Sequence, residues 1–62
     1  MDFKLGERVA KDWRDRGEKH TALGTIAYVK QDRVGVAWDA RAPHVFPALR
    51  SEIRRATREE QS

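Results

Sequence analysis

Sixty-two residues hold one domain, and without a cysteine no disulfide can staple it. Two histidines alone do not make a structural zinc set, and no apolar run approaches the ~20 residues of a membrane span. Charged residues are 37 % of the chain, both signs are mixed and the net charge is +3, a mild basic bias that permits nucleic acid as a partner without demanding it.

A core this small seldom supplies more than roughly 3–5 kcal/mol. An efficient closed fold, a partner subunit, or both must make up the rest. The opening MDFKLGERVA has no signal-peptide apolar stretch, so the expected location is cytoplasmic and no membrane is expected as a partner.

In chain order, Phe3-Lys4-Leu5 alternates apolar and polar, and Arg8-Val9-Ala10 reads as a short strand around Val9. Residues 11 to 22 sustain no period of either kind and are expected to form a long loop, a length that often carries function. The clearest signal is LGTIAYVKQDRVGVAWD. Thr25, Ile26, Tyr28 and Val29 are β-formers, and Val34, Val36 and Trp38 alternate with Gly35 and Ala37. Lys30 to Arg33 between them suit a four-residue turn. Ile26 and Val29 differ in parity, so both face inward only if a bulge lies between them.

Asp39 to Pro43 reads as a turn, with Ala42 extended before its proline. His44-Val45-Phe46 is expected as a strand, with Pro47 opening a helical turn over Ala48-Leu49-Arg50. Ser51 to Arg55 is expected as the last strand, burying Ile53, with a short helix from Ser51 as the alternative. The predicted core is Val9, Ile26, Val29, Val34, Val36, Trp38, Val45, Phe46 and Ile53. One domain over residues 1–56 precedes a polar, frayed tail, 57–62.

This order of elements resembles the small SH3-like barrels, including Tudor and KOW modules. The resemblance is carried by Gly6-Glu7-Arg8-Val9, by Gly24-Thr25-Ile26 with Val29, by Val34 to Trp38, and by Val45 to Ile53. It implies an all-β, five-stranded SH3-like barrel with a long first loop and a 3₁₀ turn before the last strand. Such a barrel hides apolar surface by curling on itself, and it hosts many unrelated functions. Two narrower resemblances are partial. Pro43-His44-Val45-Phe46-Pro47 is similar to the Val-Gln-Ile-Tyr-Pro signature of plasmid-type dihydrofolate reductases, but His44 and Phe46 replace the amide and the hydroxyl. Phe46-Pro47 is similar to the start of the Phe-Pro-Ser-Asn-Tyr ending of peptide-binding SH3 domains, but the tyrosine falls on Arg50.

No nucleophile–base pair, metal spacing or phosphate loop stands out, so the expected protein is not an enzyme and needs no cofactor. The candidate binding residues are Trp13, Arg14, Arg16, Lys19, His44, Arg50 and Arg54. An aromatic flanked by Lys11, Arg14 and Arg16 can stack on a base or grip a protein groove. Alternatively its indole folds down over the barrel mouth. Asp12 and Asp15 repel phosphate and suit a protein partner better. Trp38 reads as core or rim packing. His44, beside an edge strand, is a ligand contact or a plain surface histidine. The arginines Arg50, Arg54, Arg55 and Arg58 form a phosphate patch or a solvated end. Three functions remain: a module binding a protein or a second copy of itself, a nucleic-acid binder, and a small oligomeric enzyme.

Overall fold

The computed structural model describes residues 2–61. Five strands form one antiparallel sheet: β1 (Arg8–Asp15), β2 (Glu18–Val29), β3 (Val34–Trp38), β4 (Phe46–Ala48) and β5 (Arg54–Arg55). Their order across the sheet is β4-β3-β2-β1-β5, so the last strand returns to pair with the first. Short 3₁₀ turns occupy Asp39–Arg41 and Arg50–Glu52, and a helical turn, α1, spans Arg58–Gln61. No helix among the described residues is long and apolar enough to cross a membrane.

The core is small. Val9, Ile26, Val34, Val36 and Ile53 are buried against one another, with Phe3, Val29, Trp38 and Ala48 packed partly around them. Ala10 and Ala56 are buried as well. The expected bulge is present, because the β2–β3 register shifts between Ile26 and Tyr28. It turns Ile26 and Val29 to the same side and sets Tyr28 opposite Gly35, on the face away from Val34 and Val36. The four residues from Lys30 to Arg33 join the strands, with the Lys30 amide donating to the Arg33 carbonyl at 2.8 Å.

The long loop expected over residues 11 to 22 is instead a β-hairpin. Lys11 to Asp15 pair residue by residue with Ala22 to Glu18, and only Arg16 and Gly17 form the turn. Both turn residues have positive φ, 53° and 83°, as a two-residue turn matching the strand twist requires. The hairpin hid in the sequence because it stands clear of the core. Beyond Ala10 and Gly24 it has no other strand beside it, so neither face is wholly buried and no apolar alternation develops.

Two further expectations shift. The fourth strand and the following turn lie two residues later than expected, at Phe46–Ala48 and Arg50–Glu52. Pro47 sits inside an edge strand, where a residue without an N–H is tolerated. Val45 and Phe46, expected in the core, are 42 % and 39 % exposed, because that three-residue edge strand has no neighbour on its outer side. The last strand shrinks to Arg54–Arg55, although Ile53 is buried as expected. The tail is not frayed over 58–61: the Thr57 amide donates to the Glu60 carboxylate, and the Glu60 amide to the Thr57 hydroxyl, a reciprocal cap.

Arg16 carries a bulky side chain in left-handed backbone, a conformation that costs an L-residue roughly 1–2 kcal/mol and asparagine less. Arg16→Asn is therefore expected to stabilise the fold by about 0.5–1 kcal/mol and to raise the melting temperature by a few degrees. An unchanged or lowered midpoint in thermal denaturation would contradict this turn geometry.

Candidate functional site

The core-facing side of the sheet does not end with the core. Directly paired residues share a face, so the ladder extends that side from Val9, Ile26 and Val36 up to Lys11, Trp13, His20, Ala22 and Trp38. There the residues line a cleft of about 560 Å³, formed by Lys11, Trp13, Ala22, Trp38, Ala40 and Arg41. A second depression of about 280 Å³ shares Lys11, Trp38 and Arg41 with it and continues to Phe46, Pro47, Ala48 and Glu52. Trp38 belongs to both and so forms their common floor.

Gly24 sets the depth of this floor. A Cβ at Gly24 would come within 2.6 Å of Val36 Cγ1 and 2.9 Å of Trp38 Cε3. The indole can thus lie against bare backbone. Above it, Trp13 stacks on His20 across the hairpin, with ring centroids 5.4 Å apart and planes 23° apart. Trp13 is still 44 % exposed. The indole is therefore an exposed wall of the cleft, supported from one side by an imidazole.

The candidate residues divide into two groups. Trp13, Arg14, Arg16 and Lys19 all lie on the hairpin, with Trp13 on the cleft face, Arg14 opposite Lys19 on the other face, and Arg16 at the tip. His44, Arg50 and Arg54 are not part of the cleft lining. His44 is exposed, and its backbone amide donates to the Arg41 carbonyl at 3.0 Å, closing the turn through Ala42 and Pro43 that follows. Arg50 reaches the Asp2 carboxylate at 2.7 and 2.9 Å and also the carbonyls of Lys30 and Gln31. Arg54 holds Asp12 at 2.7 Å and Glu60 at 2.8 Å, tying the foot of the hairpin to α1. Arg55 pairs with Glu7 at 2.7 Å. Arg50, Arg54 and Arg55 are thus laced to carboxylates and not gathered into one bare basic patch.

These partners shift the acids. Hydrogen bonds from Arg54, then from Thr21, hold the Asp12 carboxyl down at about 2. Arg54 and the Thr57 amide do the same for Glu60, and Arg50 and the Phe3 amide for Asp2, both to about 2. Asp39 is also lowered, chiefly by Arg8, whose guanidinium reaches it at 2.5 and 2.8 Å and donates to Thr25 as well. That fork moors the Asp39–Arg41 turn, and with it Ala40 and Arg41, to β1 and β2.

Trp38 and Phe46, read from the sequence as packing, are cleft residues, and Arg41 carries no signal in a single sequence. The one available clue was Gly24, two residues before Ile26 on the same face. A glycine inside a strand often marks a place where another group approaches closely.

Gly24→Ala is expected to destabilise by about 1–3 kcal/mol through overpacking and to shift tryptophan emission as the indole is pushed off the strand. Unchanged melting and emission would mean that Trp38 does not rest on Gly24. Asp12 and Glu60 have depressed folded-state values, so their stabilisation is full above the ordinary carboxylate range, from 3.8 for Asp to 4.5 for Glu, and is lost as pH falls towards about 2. Arg54→Met should lower the melting temperature at neutral pH but converge with the parent near pH ~2. Parallel curves in a pH series of thermal melts would refute the clamp.

No protein-family model, no curated protein and no solved structure matches this chain beyond chance.

Proposed function

We propose that this chain is a non-catalytic interaction module, built on an SH3-like barrel, that binds a segment of a protein partner with its β1–β2 hairpin and the adjoining cleft. Support for the barrel comes from the strand order β4-β3-β2-β1-β5, with a 3₁₀ turn between the last two strands in sequence. The sheet is open between β4 and β5, which do not pair.

The observation that carries the functional reading is Trp13. It stands exposed on the outer part of the hairpin, Lys11 to Ala22, in which no residue is buried, and it faces a cleft floored by a second tryptophan. A large indole in that position contributes its contact area to something outside the chain, and tryptophan is among the residues most enriched at binding hot spots. The main cleft has only Lys11 and Arg41 as charged lining residues and no carboxylate, hydroxyl or imidazole. That suits recognition better than proton transfer.

A second reading has one observation in its favour. Arg14, Lys19 and Arg16 cluster at the hairpin end, beside an aromatic stack that a nucleobase could extend. Against it, Arg50, Arg54 and Arg55 each lie on a carboxylate, which reduces the basic surface available to a phosphate backbone.

Selection of a random displayed-peptide library on the immobilised protein tests the proposal. Specific peptides should be enriched, and Trp13→Ala should lose them while its melting shifts by less than about 1 kcal/mol, as befits an exposed side chain. Failure to enrich any peptide, together with binding to random duplex or single strand that weakens steeply with salt, would transfer the assignment to nucleic acid.

A further inference from the structure

Residues 19–22 of β2 form an open strand edge with a two-faced chemical character. Arg8 of β1 offers its carbonyl to Ala56, away from β2, while Ile26 of β2 exchanges hydrogen bonds with Gly6 and Glu7, on the β1 side. Successive residues of an antiparallel strand point their backbone groups to alternate edges. It follows that Lys19, Thr21 and Leu23 point theirs away from β1. That is the side on which β3 pairs, but β3 ends at Trp38 opposite Gly24. The Gly24–Trp38 pair brings the Asp39 amide to the Leu23 carbonyl, and the Asp39–Arg41 turn lies beside that end of β2, but among the described residues no strand covers Lys19 to Ala22.

The two faces beside the edge differ. On one lies the cleft with Trp13, Ala22 and Trp38. On the other, Arg14 and Lys19 sit directly opposite each other beside the Asp12–Thr21 pair; Arg54 holds the Asp12 carboxylate, which the Lys19 charge also favours, and Arg14 forms no ion pair among the described residues. Like charges placed directly across a ladder cost stability. A strand laid along the edge would set alternate side chains on these two faces.

We infer that the partner segment binds as an added β-strand along Lys19–Ala22, alternating apolar residues, which enter the Trp13–Trp38 cleft, with acidic residues, which meet Arg14 and Lys19. The charge pattern selects this occupant over a second copy of the chain, whose own edge would bring the Arg14–Lys19 pair and only a carboxylate, Asp12, already held by Arg54. Lysines on an open edge also oppose edge-to-edge pairing. Backbone hydrogen bonds from Lys19 and Thr21 would give affinity, and the two faces would give specificity.

This inference rests on the reading of the chain as a protein-binding module, and fluorescence polarisation with defined peptides separates the two. The probe is a fluorescein-labelled heptapeptide, Glu-Leu-Glu-Val-Glu-Leu-Glu, used with a twin bearing lysine in place of every glutamate. Two further twins are N-methylated at alternate residues, one in each register. The acidic peptide should bind, the lysine twin about tenfold or more weakly, and one of the N-methylated twins should lose binding. Arg14→Glu with Lys19→Glu should reverse the preference, and the Thr21 amide should gain hydrogen-exchange protection in the complex. Equal binding of the acidic and lysine peptides, or full binding of both N-methylated twins, overturns the added strand. If Trp13-dependent peptides have meanwhile been selected from a library, the module reading survives that result. A dimer in sedimentation that Thr21→Pro dissociates would put a second copy on this edge and overturn the inference as well.

Discussion

Arg54 holds two carboxylates from opposite ends of the chain, Asp12 on the hairpin and Glu60 on the last helical turn. Much of the remaining structure depends on clasps of this kind. Among the described residues, five aliphatic side chains make up the buried cluster, too few to draw both ends of the chain onto the sheet. Arg50 gathers Asp2 and the β2–β3 turn, Arg55 gathers Glu7, and Arg8 gathers Asp39 and Thr25. An exposed ion pair contributes little alone. Here the guanidiniums are forked, each spans distant segments, and they accept the geometry that apolar contacts enforce.

The fold was legible where burial imposes a period. Val34, Val36 and Trp38 alternate because Ile26 and Val9 lie behind them, and the parity conflict of Ile26 with Val29 announced the bulge. Legibility failed where a strand has water on both sides. Lys11 to Ala22 pair as regularly as any residues in the chain, yet nothing selects their side chains for alternation, and Arg16-Gly17 lacks the usual asparagine. Pro47 misled for a related reason. A proline reads as a terminator unless the strand is known to be an edge, and edge status is a property of topology.

The candidate site was half legible. Trp13 stood out because a charged context is an odd place for an indole, and the hairpin gives that oddity a location. Its companions did not stand out: Trp38 and Phe46 look like core residues, and Arg41 like any solvated arginine. They meet only because Gly24 lets the β3 end lie close and because the Asp39–Arg41 turn folds back beside β2. The basic C-terminal residues show the converse. A run rich in arginine suggested a ligand surface, and its charges are largely engaged in holding the molecule together.

The fork from Arg8 to Asp39 and Thr25 has a consequence for recognition itself. One bank of the cleft is a three-residue turn with no buried side chain, anchored by charge instead of by packing. Dissolved ions weaken such an anchorage, whereas they leave the aliphatic cluster untouched. If the proposed acidic strand is the occupant, a rise in ionic strength would act on its capture twice, by masking the cations that attract it and by slackening the bank of the cleft.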